Sequence, residues 1–338
     1  MSIDVGELKE VLRMFPPTIC AFAYGSGVVE QGGYDYSHED TSKLPMLDMI
    51  FVVQDPLEWH GQNMAVNADH YSSLVAMSPG IVAAVQESFG ARVWFNAFVP
   101  MNTKRSPTRM MKYGVISSKA LLEDLRGWTS LYIAGRLHKP VLMVHCSDEI
   151  REALDANKRN ALRAALLLMP RVFSETDLYL GVASLSYIGD PRMLIGENPR
   201  KIVNLVMPIV PHYREMYKDT LKAVTTHPVL GNNASIHAPI IKHVTSTPET
   251  IFLQEGSRES RWALCLGLPL VMRRLLFIQG RARFLKHKPP TRTSIRTALA
   301  SVVARSASVQ SAKGLLTIGV LKSAAYVFQK VSKRIWGQ

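Results

Sequence analysis

The sequence predicts a mixed α/β protein in two parts, followed by a basic helical tail. Three observations predict it. Residues 1–147 hold short apolar runs of strand length separated by Gly, Pro and Ser clusters, and from residue 148 onward the apolar spacing becomes helical. From Ser260 to Gln338 the chain carries fifteen Lys or Arg and no acidic residue. With 338 residues, 47% of them apolar, the chain can bury a substantial core, and its length suggests two domains.

Taken in order, Thr18 to Tyr24 reads as a buried strand running into Gly25-Ser26-Gly27. Gln31 to Pro45 reads as an inserted loop and Met46 to Val53 as a second strand. Helical spacing over Glu58 to Asn67 and Pro79 to Phe89 precedes a third strand, Arg92 to Val99. Beyond the polar, basic loop Asn102 to Arg109 and the stretch Lys112 to Ser117, Ser118 to Gly127 has an N-cap and a helical period. Pro140 to His145 reads as a further strand. Ile150 to Met169, closed by Pro170, and the segment opening at Thr176 read as helices, which sets a domain change near Ser147. Leu221 to Glu255, with its Thr, His, Pro and Asn clusters, reads as loop.

The formal net charge is +13, from forty Lys and Arg against twenty-seven Asp and Glu. Because residues before Ser260 hold twenty-five basic and twenty-seven acidic side chains, the whole excess sits at the C-terminal end. Such a segment suits an anionic partner, a nucleic acid or an acidic membrane. Within residues 311–338, Leu321, Ala324, Phe328, Val331 and Ile335 form one helical stripe. Lys313, Lys322, Lys330, Lys333 and Arg334 supply cationic heads, and Trp336 suits a headgroup boundary. The alternative is a helix packed on the protein's own core. No apolar run reaches the roughly 18 residues of a membrane span, so a peripheral protein is expected. Three cysteines, Cys20, Cys146 and Cys265, fit neither a disulfide framework nor a zinc cluster and point to a reducing compartment. The N-terminus has the features of neither a secretory signal nor a transit peptide.

Gly25-Ser26-Gly27 after a strand lets backbone N–H groups and the Ser26 hydroxyl approach a phosphate. Asp48 stands in an apolar strand, where a carboxylate is costly unless paired or bound to a cation; a Mg²⁺ carrying nucleotide phosphates is one such cation, and a structural Lys or Arg is the other. A glycine-serine turn followed by a strand Asp resembles the layout of the polymerase-beta-like nucleotidyltransferases, which continue as Asp-x-Asp. Here the second position is Ile50, so the second metal contact falls to Asp55 or to the substrate's phosphates.

AFAYGSGV, MLDMIFVV, KYGVIS, LYIAGRLHKP, LSYIGDPRM and, near the C-terminus, TRTSIR and SAKGLLTIGVLKSAAY together resemble the mitochondrial phosphatidate cytidylyltransferases, the translocator assembly and maintenance proteins. The resemblance implies a polymerase-beta-like nucleotidyltransferase domain over residues 1–147, a mostly helical winged-helix-like domain over 148–310 and a membrane-binding amphipathic helix over 311–338. It implies CTP as donor, phosphatidic acid as acceptor, Mg²⁺ as cofactor, CDP-diacylglycerol as product for cardiolipin and phosphatidylglycerol synthesis, and attachment to the matrix face of the mitochondrial inner membrane. Gly25, Ser26 and Gly27 would then cradle the triphosphate, Asp48 would hold the metal, and Lys112 would contact phosphate. Tyr187, Asp190, Arg192, Glu197 and Lys201 would close over nucleotide or lipid phosphate. His60, His70 and Trp59 serve either to order the neighbouring helix or as ligands.

The attacking phosphate of phosphatidic acid is already anionic at neutral pH, which fits a sequence without an evident acid/base pair. Nucleic acid is not expected as a partner. Two alternatives stand beside this reading: a nucleotidyltransferase acting on RNA or protein, with strongly salt-dependent RNA binding in the first case, and a non-catalytic membrane-bound assembly factor indifferent to Asp48.

Overall fold

The computed structural model describes residues 3–29, 31–32, 36, 40–71, 78–195, 198–226, 241–245, 250–285 and 288–318. The first part contains α1 (Val5–Leu12), β1 (Cys20–Tyr24), β2 (Leu47–Val53), α2 (Pro56–Val66), α3 (Pro79–Ser88), β3 (Val93–Pro100), β4 (Met110–Ser117), α4 (Ser118–Gly127), α5 (Ile133–Arg136) and β5 (Leu142–Cys146). The remainder is mainly helical: α6 (Asp148–Leu168), β6 (Val172–Ser174), α7 (Glu175–Ser184), α8 (Arg192–Ile195), α9 (Lys201–Val206), α10 (Val210–Thr226), β7 (Ile241–Thr245), β8 (Ile251–Gln254), α11 (Arg258–Leu266), α12 (Leu270–Leu285) and α13 (Arg292–Ile318).

Local chemistry sets the helix starts. Ser117 caps α4 by accepting from the Ala120 amide, and Ser174 and Asp177 form a reciprocal capping box on α7. Asp55 caps α2, whose first position is Pro56. Among the described residues, no helix is long and apolar enough to cross a membrane.

The main sheet runs β3-β4-β2-β1-β5, with β2 and β4 parallel and every other neighbour antiparallel. Alternation of side chains along each strand gives it two buried faces. Phe22, Ile50, Val52, Phe95 and Ile116 join a core with α4, α6, α7, α10 and α13. Ala23, Met49, Phe51, Tyr113 and Val115 join a second core under α1, α2 and α3. The first core continues without a break from the sheet into α6 and beyond, so the strand-rich and helix-rich parts share it.

Two expectations are corrected. Leu221 to Glu255 is not simply loop: α10 runs to Thr226, and β7 and β8 pair with β6 in a second, three-stranded antiparallel sheet. Residue 311 falls inside the unbroken α13, and Lys313 is not a solvent-facing cation. Its side chain is buried, and its ammonium donates to the Phe89 carbonyl at 2.9 Å because α13 lies against the β3 side of the sheet. The cysteine expectation is not among those corrected: Cys20, Cys146 and Cys265 are free thiols, although Cys20 and Cys146, distant in sequence, are register partners on β1 and β5. The stripe from Leu321 to Ile335 and its cations Lys322, Lys330, Lys333 and Arg334, with Trp336, lie outside the described residues.

Candidate active site

Three residues line up across neighbouring strands at one end of the sheet. Asp48 on β2 is the register partner of Tyr24 on β1 and of Lys112 on β4. All three lie on the face that carries Ile50 and Phe22, turned toward the helical part. Lys112 Nζ is 3.7 Å from Asp48 Oδ1 and lies 4.5 Å from the centre of the Phe95 ring. The Asp48 side chain keeps 29% of its surface exposed, so it stays within reach of a solvent-borne ligand.

β1 ends directly in the Gly25–Gly27 turn. Gly25 takes φ +77°, and a Cβ there would stand 3.4 Å from Asp48 Oδ2. Gly27 is pressed on β2, where a Cβ would come within 2.8 Å of the Met46 carbonyl oxygen. Arg109 fastens the turn, its guanidinium donating to the Gly27 carbonyl at 2.8 Å and to the Pro45 carbonyl at 2.7 and 3.0 Å. Ser26 sits between the two glycines, partly exposed.

Helix α5 supplies the next layer, and a buried carboxylate places it. Asp124 accepts the backbone N–H groups of Ser130, Leu131, Ile133 and Ala134 at 2.7 to 3.1 Å, tying the end of α4 to the start of α5. Gly135 touches Ser186 so closely that a Cβ would lie 2.3 Å from the Ser186 Cβ. The Arg136 guanidinium therefore lies 4.6 Å from the Tyr24 ring centre and 5.0 Å from that of Tyr132. One of its N–H donors also reaches the Tyr132 hydroxyl at 3.3 Å, while its buried Nε has no hydrogen-bond partner. Lys139 is buried and donates to the Gly135 carbonyl at 2.6 Å and to Ser186 Oγ at 2.9 Å.

The helical part closes the ring. Lys139 and Lys201 lie 4.8 and 5.3 Å from the centre of the Tyr187 ring. Arg192 is held in a bidentate pair by the buried Asp190 and lies 5.9 Å from the Tyr132 ring centre. Among the described residues, five cations, Lys112, Arg136, Lys139, Arg192 and Lys201, thus gather around three tyrosines and the loosely paired Asp48.

The electrostatics follow. Burial pushes the Tyr132 phenol up, but Arg136, Arg192 and Lys112 outweigh it and leave it lowered to about 8. Burial pulls the Lys139 ammonium well below its ordinary range, and the charges of Arg136 and Lys201 pull it the same way. Arg136 is pulled down by burial but raised overall, because Tyr24, Tyr132 and Asp48 favour its charge. An anion entering here would relieve the mutual repulsion of these cations.

Of the residues expected from sequence, Gly25, Ser26, Gly27, Asp48, Lys112, Tyr187, Asp190, Arg192 and Lys201 belong to this ring or the turn beside it; Glu197 lies outside the described residues. Asp55 does not join them. It sits just past the other end of β2, seven residues and so about 23 Å along the extended chain from Asp48 at roughly 3.3 Å per residue, where its carboxylate accepts the Leu57 and Glu58 amides as an N-cap. One ion cannot meet both. Ile50 is fully buried between strands, with its Cδ1 packed over Gly114.

His60, His70 and Trp59 serve the opposite face of the sheet. His60 bonds the Tyr71 hydroxyl and the Gln86 amide oxygen, His70 bonds the Tyr113 hydroxyl, and Trp59 donates to the Pro16 carbonyl. They order the second core and do not line the site.

The donor set bears on a metal. Asp190 is committed to Arg192, which leaves Asp48 as the carboxylate available in the ring, and no group of three or more His, Cys, Asp or Glu converges anywhere among the described residues. That suits an ion bringing most of its ligands as water and nucleotide phosphate, as Mg²⁺ does, and does not suit a protein-caged zinc or calcium.

Sequence reasoning missed Arg136, Lys139, Tyr132 and Tyr24. The usable signal was LYIAGRLHKP itself, a short segment mixing cations and aromatics.

A family model described as "Phosphatidate cytidylyltransferase, mitochondrial" matches residues 8–333. The chain is 38% identical over 339 residues to the protein of that name from Xenopus laevis, covering 97% of this chain and 94% of the relative. It is 37% identical over 353 residues to the mouse protein, covering 98% and 95%, and 34% identical over 357 residues to that of Schizosaccharomyces pombe, covering 98% and 86%. The family that the sequence motifs resemble is thus the one matched over nearly the whole length, and the chain belongs to the mitochondrial phosphatidate cytidylyltransferase family.

Proposed function

We propose that this protein is a cytidylyltransferase that converts CTP and phosphatidic acid to CDP-diacylglycerol and pyrophosphate. The observation that carries this reading is the ring of five cations beside Asp48 and the Gly25–Gly27 turn, with the buried Arg136 Nε lacking a partner. A triphosphate would offset the positive charge gathered there and offer an acceptor to Arg136 Nε.

In the reaction, a phosphate oxygen of phosphatidic acid attacks the α-phosphorus of CTP. The new oxygen–phosphorus bond forms as the bond from that phosphorus to the oxygen bridging toward the β-phosphate breaks, and pyrophosphate leaves with that oxygen. The attacking group is already anionic, so no protein base is needed. The protein's part is positioning and charge neutralisation. The glycine turn admits the phosphates to backbone amides; Lys112 and Arg136 offset charge growing toward the leaving group; Tyr24 and Tyr132 fix the guanidinium plane; and Arg192, Lys139 and Lys201 meet phosphate from the helical side. Mg²⁺ held by Asp48 would neutralise part of the triphosphate's charge.

The same reading takes the sheet-bearing part, residues 1–147, as a polymerase-beta-like nucleotidyltransferase domain and residues 148–310 as a winged-helix-like domain, the second sheet with its helices being compatible with a wing. It locates the protein peripherally at the matrix face of the mitochondrial inner membrane, with residues 319–338 contributing to attachment, and assigns the product to cardiolipin and phosphatidylglycerol synthesis.

The test is to incubate the protein with phosphatidic acid vesicles and CTP labelled at either the α- or the γ-phosphate, then extract the lipid. Label from the α position in the lipid phase and none from the γ position supports the reading; label from neither position overturns it.

A further inference from the structure

We propose that the outer face of α12, together with the groove between α12 and α4, is a docking surface for an acidic phospholipid bilayer. The helix is apolar on both sides. Its inner side buries Met272 and Leu276, which satisfies the core. The outward stripe, Leu270, Arg273, Arg274, Phe277 and Ile278, follows the i, i+3, i+4, i+7, i+8 spacing, so these side chains share one face. On that face Ile278 is 73% exposed, Leu270 48% and Phe277 47%. A surface helix ordinarily turns a polar face to water, and this one turns large apolar side chains interleaved with two exposed arginines.

The surroundings extend the pattern. Leu266, at the end of α11, is also exposed. An open cavity of about 670 Å³ lies beside the start of α12, its apolar wall formed by Leu122, Leu270 and Val271, with Lys119 and Arg126 also lining it. Glu123, the acidic residue lining it, is paired with Arg92 at 2.5 Å. No Asp or Glu occurs from Ser260 to the C-terminus, so α12 itself has no acid to repel an anionic surface.

Apolar side chains that enter the acyl boundary, flanked by arginines at headgroup level, are what an acidic bilayer rewards. Nucleic acid would use the arginines but leave Leu270 and Ile278 in water.

The proposal gains its purpose from the lipid-substrate reading, but its test does not use CTP. The full chain is floated with vesicles of phosphatidylcholine alone or mixed with phosphatidylglycerol, which is not the substrate. Two variants are compared with wild type, Leu270→Ser/Ile278→Ser and Arg273→Gln/Arg274→Gln. The expected result is flotation of wild type with the mixed vesicles only, and a fall of roughly tenfold in partition for each variant. Both variants should keep the wild-type melting temperature and the wild-type turnover of a short-chain, water-soluble phosphatidic acid.

Unchanged partition in both variants would overturn the proposal, as would failure of wild type to float with the mixed vesicles. Loss of RNA binding in the variants with vesicle binding intact would assign the face to nucleic acid instead. If the variants lose vesicle binding while wild type shows no cytidylyltransfer, the docking surface stands and the enzymatic reading fails.

Discussion

Lys112 and Asp48 face each other across the parallel β2–β4 pair with 3.7 Å between ammonium and carboxylate, close enough to compensate charge but too far for a tight hydrogen bond. From there the ammonium can reach a phosphate bound beside the Gly25–Gly27 turn while it stays near Asp48. Lys112→Ala should raise the KM for CTP by roughly tenfold to a hundredfold, the scale of one charge-assisted contact, with a smaller effect on kcat. Steady-state kinetics over a CTP series checks this.

Arg136 sits between Tyr24 and Tyr132 with an unpartnered buried Nε. Arg136→Gln should weaken CTP binding by about tenfold to a hundredfold in a calorimetric titration. Arg136→Lys keeps the charge but not the planar contact with the tyrosine rings, so it should recover part of that loss and not all of it.

Gly27 has no room for a side chain against the Met46 carbonyl oxygen, and Gly25 combines φ +77° with close approach to Asp48. Gly27→Ala should destabilise the fold by about 1 to 3 kcal/mol, because β2 backbone must shift. Gly25→Ala should cost about 1 to 2 kcal/mol through backbone strain. Urea unfolding of each variant gives the comparison.

The lowered Tyr132 phenol, at about 8, predicts a pH dependence. In the free protein, Arg136, Arg192 and Lys112 offset burial and favour the phenolate. A bound triphosphate engages the same cations, so the phenol must return toward its ordinary value and binding must take up a proton. CTP affinity should be flat below about pH 8 and fall above it by at most about tenfold per pH unit. Tyr132→Phe should remove that bend.

Asp48 and the glycine turn were legible because each carries a local signal, a charge in an apolar strand and a glycine pair after one; Lys112 was named through the family resemblance of KYGVIS. Arg136, Lys139 and Tyr132 carry none. They reach the site through the Asp124 amide cluster and the Gly135–Ser186 contact, both products of tertiary packing. Asp55 was misread although its meaning was local: Asp-Pro followed by Glu58 is a helix start, and the structure uses it as one. The strands β7 and β8 escaped notice because short apolar runs among Thr and Pro resemble loop until β6 supplies a partner.

The central claim is that Asp48 and the cation ring perform lipid-dependent cytidylyl transfer. The most direct measurement is pyrophosphate release from CTP, Mg²⁺ and phosphatidic acid vesicles by wild type and Asp48→Asn, with ATP as control. The account predicts release that requires both CTP and phosphatidic acid and falls by about 10² or more in Asp48→Asn. Equal release by the two proteins, or release independent of the lipid, would contradict it.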